Sequence, residues 1–274
     1  MNNALIPQRG EKMPVLFIGH GSPMNIIQSN PFTRSLASLG EVLPRPQAIM
    51  VISAHWLTRG TCVTCTEKPR MIYDFFGFLP ELYRVTYECS GGSDYAKRLT
   101  EEVIRDGTIR CNSTWGLDHA SYSVLRHIFP AADIPVFEMS LDYLFNDPHP
   151  GLVSSHYELG KRLKPLREMG VLIIGSGNLV HNLRLIDSSE REEASVTWAA
   201  EADEMIRSYL MKGDDDALIA YPDTGKWASH AIPTLDHYLP MIYTLALKEE
   251  GEPLRFIYEG FQNGSISMRS FWIG

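Results

Sequence analysis

Three short apolar runs in this chain each lead to a histidine. PVLFIGHGSP places His20 after the first run, VISAHW places His55 after the second, and VLIIGSGNLVHN places His181 a few residues beyond a third. A fourth, His237, lies in TLDHYLP at the start of a predicted helix. Imidazole is the commonest protein metal ligand and the commonest general base near neutral pH. A lone histidine near a strand end is ordinarily a hydrogen-bonded structural residue. Several converging on one sheet edge point to a metal site or to acid–base chemistry. Gly19 and Gly21 flank His20, which lets the backbone turn sharply there. A phosphate-cradling loop is the alternative for GHGSP, but it lacks the Lys of a P-loop and the spacing of GxGxxG.

The elements that must position these residues alternate. Residues 14–19, 47–53, 134–139 and 171–176 read as buried strands. Residues 31–40, 93–106, 151–168, 193–211 and 235–248 read as helices. The tail (FIYEG, SISMRSFWIG) alternates and predicts late strands, antiparallel at an edge. Strands separated by helices imply right-handed βαβ units. The expected fold is α/β, a mostly parallel central sheet with helices on both faces. Ligands of such sheets bind beyond the carboxyl ends of the strands, so a metal site is expected at that edge.

Composition excludes other classes. The chain has 274 residues, 44% hydrophobic and 21% charged, which fits one globular domain over 1–274. The charged fraction argues against disorder, and no apolar run approaches ~18 residues. Net charge is −8 with no Lys/Arg-rich run, which argues against nucleic-acid binding. The N-terminus has no secretory pattern, so a soluble cytoplasmic enzyme is expected, with no membrane partner. Four cysteines are too few for a disulfide framework. Cys62 and Cys65 form a CxxC on a predicted strand, where residues three apart point to opposite faces. Cys89 and Cys111 stand apart, so the spacing reads as coincidence and not as half of a zinc site.

Taken together, GHGSP, SAHW, GSGNxVHN and DHYLP resemble the class III (LigB-type) extradiol ring-cleaving dioxygenases, in the DOPA 4,5-dioxygenase-like branch. LPRPQAI at 43–49 and GLDH at 116–119 extend the resemblance over nearly the whole chain. It implies one mononuclear divalent metal, Fe(II) for activity, held by His20, His55 and a third ligand. Other class III enzymes take a carboxylate from a late helix; here the matching segment carries His237, with Asp236 beside it as the alternative. Adjacent helical positions diverge by ~100°, so the two do not share one ion. An all-histidine set also suits Zn²⁺, so purified protein is expected to be able to carry zinc. His181 matches the family's catalytic histidine, as acid–base or as a fourth ligand. His119 falls in another matching block and either lines the pocket, touching a substrate hydroxyl, or is a helix-entry residue held by Asp118. The implied partners are a catechol and O₂, and the product a muconate semialdehyde.

Other histidines are read more plainly. His127 is expected to be structural or on the surface, His149 exposed in a turn, and His156 solvent-facing on its helix. His230 lies on a loop that can fold over the cleft. Tyr73, Asp74, Phe75, Phe76 and Phe78 form an aromatic cluster that lines a substrate pocket or plugs the core. Two competing functions use the same residues: a zinc-dependent hydrolase with a metal-activated water, and a non-catalytic binding protein that keeps the scaffold.

Overall fold

The computed structural model describes residues 12–145, 151–186 and 196–274. Among them the strands are β1 (Val15–Gly19), β2 (Ala48–Thr58), β3 (Thr61–Thr64), β4 (Ile109–Asn112), β5 (Val136–Asp142), β6 (Val171–Gly177), β7 (Leu254–Tyr258), β8 (Phe261–Gln262), β9 (Ile266–Ser267) and β10 (Ser270–Ile273). The α-helices are α1 (Pro31–Val42), α2 (Ser93–Arg98), α3 (His119–Ile128), α4 (Leu152–Arg162), α5 (Pro165–Glu168), α6 (Thr197–Lys212), α7 (Asp215–Ala220), α8 (Lys226–Ala231) and α9 (Leu239–Ala246). None of the described helices is long and apolar enough to cross a membrane.

Eight strands form one sheet in the order β4-β3-β5-β2-β6-β1-β10-β7. The four predicted apolar strands are its centre, and β5, β2, β6 and β1 run parallel. The tail adds β10 antiparallel to β1 and β7 antiparallel to β10, at the edge. Both sheet faces are covered, and the two-residue strand period sorts the side chains. Leu16 and Ile18 of β1 pack with Phe32 and Leu36 of α1 and Tyr122 and Leu125 of α3. Val15 and Phe17 point the other way, to Leu159 of α4 and Ile242 of α9. Local signals start the helices: Asn30 and Thr33 exchange a reciprocal capping box before Pro31, and Asp118 caps α3 by accepting from Ala120 N.

The structure departs from the sequence reading in several places. The helix expected over 93–106 is α only to Arg98 and continues as a wide π turn over Leu99–Val103. The Thr100 hydroxyl donates to the carbonyls of Ala96 and Lys97, which loosens that turn. The last predicted helix begins at Leu239, so His237 sits in the turn before it. His156 is buried, not solvent-facing, because α4 packs on α9, and its Nδ1 lies 2.8 Å from Tyr243 Oη. Cys111 does not stand apart. The parallel pairing of β3 with β4 sets Val63 opposite Cys111 and brings Cys65 within reach, and Cys65 and Cys111 form a disulfide across 46 positions. Cys62 and Cys89 are free and buried, so the CxxC spacing has no joint role.

Arg167 ties the amino end of the sheet to the chain around Glu252. Its side chain is fully buried; it donates to Met13 O and Leu247 O at 2.8 Å and grips both oxygens of Glu252 at 2.6 and 2.8 Å. Burial alone would raise the Glu252 carboxyl, but Arg167 and Lys12 outweigh it and hold it at about 2. A depressed carboxyl pKa stabilises the fold above its unfolded value, and that share is lost as pH falls. Glu252→Ala is therefore expected to cost about 3–5 kcal/mol at neutral pH by stranding Arg167. The difference from the parent should shrink between about pH 5 and pH 2. Denaturant titrations at pH 7 and pH 3 measure both, and an equal cost at the two values would contradict this account.

Candidate metal centre

The centre is built where β1, β2 and β6 end. The registers of β1 and β2 on β6 set Gly19 beside Gly177 and Ser53 beside Ser176. His20 follows β1 directly, and its N–H continues the ladder to Gly177 O at 3.1 Å. Gly21 then takes φ +62°, a turn that side-chain-bearing residues rarely make. His20 is almost completely buried. Ser176 Oγ donates to Ala120 O at 2.7 Å, so its oxygen is left to accept from His20 Nδ1 at 3.1 Å. That fixes the His20 proton on Nδ1 and leaves the Nε2 lone pair facing the site.

His55 lies inside β2, not at its tip. The strand leaves β6 after Ser53, and its register on β5 shifts between Ile52 and Leu57, turning His55 toward His20. Ser53 Oγ accepts from His55 N at 3.0 Å and donates to Asp118 Oδ2 at 2.6 Å. His55 Nδ1 is 3.2 Å from Asp74 Oδ2, and its Nε2 is 3.1 Å from His20 Nε2. His237 Nδ1–H donates to Asp236 Oδ2 at 2.8 Å. Gly177 allows this approach, since a Cβ there would meet His237 O at 2.1 Å. One ring nitrogen from each of His20, His55 and His237 lies within 4.8 Å of the others.

Neighbouring histidines complete the wall. His181 stacks on His237 with centroids 3.5 Å apart and planes 8° apart. His119 opens α3, and the structure joins its two sequence readings: it enters a capped helix and lines the cavity. Its holder is Asp74, not Asp118, with Asp74 Oδ1 accepting from His119 N at 2.9 Å and Oδ2 lying 2.7 Å from Nδ1. Burial, reinforced by neighbouring imidazoles, pushes His20, His55 and His181 well below the usual histidine range. All three are thus neutral at pH 7, the form that binds a cation. Burial pushes Asp236 up, but the facing His237 prevails and holds it at about 2, ionised.

The donor set fits a divalent ion. Facing Nε2 lone pairs 3.1 Å apart repel unless a proton or cation lies between them. Two nitrogens ~2.1 Å from one ion stand roughly 3.0 to 3.4 Å apart, from an octahedral to a tetrahedral angle. Each of the three histidines carries an Nδ1 partner of the kind that orients metal ligands. A cavity of about 320 Å³ opens on this group and is lined by Phe75, Phe76 and Phe78 besides the five histidines. A second, of about 540 Å³, shares His55, His181, Leu183 and His237. A larger concavity of about 960 Å³ runs along the outer face of α6, with no histidine or cysteine in its wall.

The sequence reading places Asp74 in a pocket-or-core aromatic cluster, and the structure puts it in the cavity wall, with a hold on His119 that the sequence does not foresee. Glu138 escapes that reading altogether. Glu138 is an acid inside the apolar strand β5, and it accepts from Trp115 Nε1 and Asp118 N at 2.9 Å and from Ser121 Oγ. Burial raises Glu138 far above the carboxylate range, and burial together with Asp74 brings Asp118 to about 7. Tyr73 belongs to the core reading, with its hydroxyl on Val85 O. His127 is half-buried with Nε2 2.7 Å from Asn25 O. His230 does not fold over the cleft: it is exposed, its ring against Trp198. His149 lies outside the described residues.

Residues 15–261 match the family model of the catalytic LigB subunit of aromatic ring-opening dioxygenase. This chain belongs to the LigB family. It is 40% identical to an Escherichia coli K12 protein named 4,5-DOPA dioxygenase extradiol, over 96% of this chain and 95% of the relative. A Beta vulgaris protein of the same name is 31% identical over 93% and 94%. The crystal structure of an uncharacterized E. coli K12 protein superposes with TM-score 0.80 at 37% identity, covering 96% of this chain and all of that one. The LigB chain described here is accordingly an aromatic ring-opening dioxygenase of the extradiol type.

Since Asp74 orients both His55 and His119, Asp74→Ala should leave the far-UV spectrum intact and weaken divalent-metal binding about 10–100-fold. Equilibrium dialysis against Co²⁺ or Zn²⁺ measures this, and unchanged affinity would mean that Asp74 is only structural.

Proposed function

We propose that this LigB chain forms one catalytic unit over 1–274 and opens the ring of catechols beside the diol, with O₂, to a muconate semialdehyde. His20, His55 and His237 hold one divalent metal, Fe(II) for activity, with Zn²⁺ able to occupy the same nitrogens. The observation that carries this reading is the convergence of three oriented imidazoles on the wall of an aromatic-lined cavity. When bound, Fe(II) supplies a centre at which the two catechol oxygens and O₂ meet. The net acidity of −8 supports a cytoplasmic setting.

The chain's own residues do the rest. His181 is neutral because burial and His237 lower its pKa, so a ring nitrogen is free to take a catechol proton. It can return that proton later, when the ring opens. The Asp74 hydrogen bond keeps the His119 proton on Nδ1, so Nε2 is the atom that accepts from a substrate hydroxyl. Phe75 and Phe78 meet the ring and exclude water from it. A hydrolase would need a carboxylate base at the ion. Asp74 and Asp236 each hold an imidazole instead, which favours the dioxygenase.

The test is oxygen uptake by protein reconstituted anaerobically with Fe(II), on a panel of catechols, with a zinc-loaded control. Uptake with a yellow ring-opened product, in the iron sample alone, is expected. His181→Ala should lower kcat about 10²–10⁴-fold with the metal retained, whereas His20→Ala should lose the metal. No uptake from any catechol by protein shown to hold Fe(II) would overturn the reading and favour hydrolysis.

A further inference from the structure

The second cavity differs from the first in one respect that matters for substrate choice. Among the described residues, Arg184 is the only Lys or Arg in the wall of either cavity. It sits in the short 3₁₀ turn Leu183–Leu185, directly after His181 and Asn182. That turn is held from two sides. His181 N donates to Ala231 O at 3.0 Å and Asn182 Nδ2 to His230 O at 2.7 Å, while Asn182 Oδ1 accepts from Arg184 N at 3.1 Å. Arg184 is exposed, and among the described residues its guanidinium has no hydrogen-bond, ion-pair or ring partner. The surrounding mouth is apolar, with Phe76 91%, Leu183 61% and Phe145 55% exposed. Leu183 lines both cavities and so marks the passage between the aromatic wall and Arg184.

An unpaired guanidinium on a rigid turn suits a planar carboxylate, which it can meet with two parallel hydrogen bonds. The chain carries a net charge of −8, which repels acidic ligands, so a local cation at the mouth reverses that bias where it counts. We propose that Arg184 is a specificity-determining residue that binds an acidic group, so that the preferred catechols carry a carboxylate on their ring substituent. This rests on the dioxygenase reading for the identity of the ring. The ring seats against Phe75 and Phe78, and the substituent passes over Leu183 to the guanidinium.

The test compares 3-(3,4-dihydroxyphenyl)propanoate with 4-ethylcatechol, which is the same molecule without the carboxylate. Binding to the Fe(II) protein is measured anaerobically by calorimetry, and oxygen uptake is measured separately. Arg184→Gln should weaken binding of the acid, and raise its KM, about 10–100-fold with little change in kcat. The same variant should leave 4-ethylcatechol within about twofold, and Arg184→Lys should keep part of the preference for the acid. Equal effects on the two catechols, or no effect on either, would overturn the assignment. Arg184-dependent binding of the acid without oxygen uptake would uphold it and defeat the dioxygenase reading. Uptake from both catechols with no dependence on Arg184 would do the reverse, and binding of neither would overturn both.

Discussion

Each imidazole at the centre has a polar partner facing its Nδ1. Ser176 accepts from His20 Nδ1 and Asp236 from His237 Nδ1, while Asp74 Oδ2 stands 3.2 Å from His55 Nδ1. These partners make the cluster usable. A free imidazole can carry its proton on either nitrogen and can turn in its socket. With Nδ1 held, tautomer and ring orientation are both set, and the Nε2 lone pairs face a common point. Burial and the closeness of the other imidazoles both keep His20 and His55 neutral, because a charged ring there would lose its hydration.

The sheet makes that arrangement rigid. His20, Ser53 and Ser176 sit on or just beyond neighbouring parallel strands whose registers bring their ends level. The partners of the imidazoles are held in turn. Ser176 donates to α3, and Ser53 links β2 to the cap of the same helix. Glu138 receives donors from Trp115, Asp118 and Ser121. Burial raises its carboxyl and that of Asp118; the Asp118 carboxylate raises Glu138 further, and Asp74 raises Asp118. An acid inside an apolar strand is costly unless hydrogen-bonded, and here each oxygen of Glu138 has a donor.

Much of this was legible because it is local. Apolar runs of strand length mark the parallel centre, and the residue after each run marks the edge where ligands bind. His20 follows from that rule alone. His55 is found by it too, although β2 continues past it, because what ends at Ser53 is the pairing with β6 and not the strand. What stayed hidden depends on tertiary contact. Asp74 reaches His119 across 45 positions, and Cys65 reaches Cys111 across 46. No spacing rule links such pairs: the disulfide needs the pairing of β3 with β4, and the Asp74 contact follows the bridge of Met71 to Leu117. His156 on its helix reads as solvent-facing, but the face of α4 that carries it meets α9.

The proposed ligand set places its counter-charge one bond further out. Three imidazole nitrogens give a divalent ion no anionic ligand, and a net cation in a buried site is expensive. The structure offers two carboxylates at one remove, Asp74 behind His55 and Asp236 behind His237. Through the Nδ1–H bonds they make those rings stronger donors and balance the ion's charge without occupying coordination positions. A carboxylate bound directly would neutralise more charge but would compete with an arriving catechol for the same positive field. Keeping the acids behind the histidines leaves the ion electropositive toward its substrate while the buried site as a whole remains balanced. On this argument, the departure from a histidine-and-carboxylate ligand set moves the acid to the neighbouring position in sequence and does not remove it.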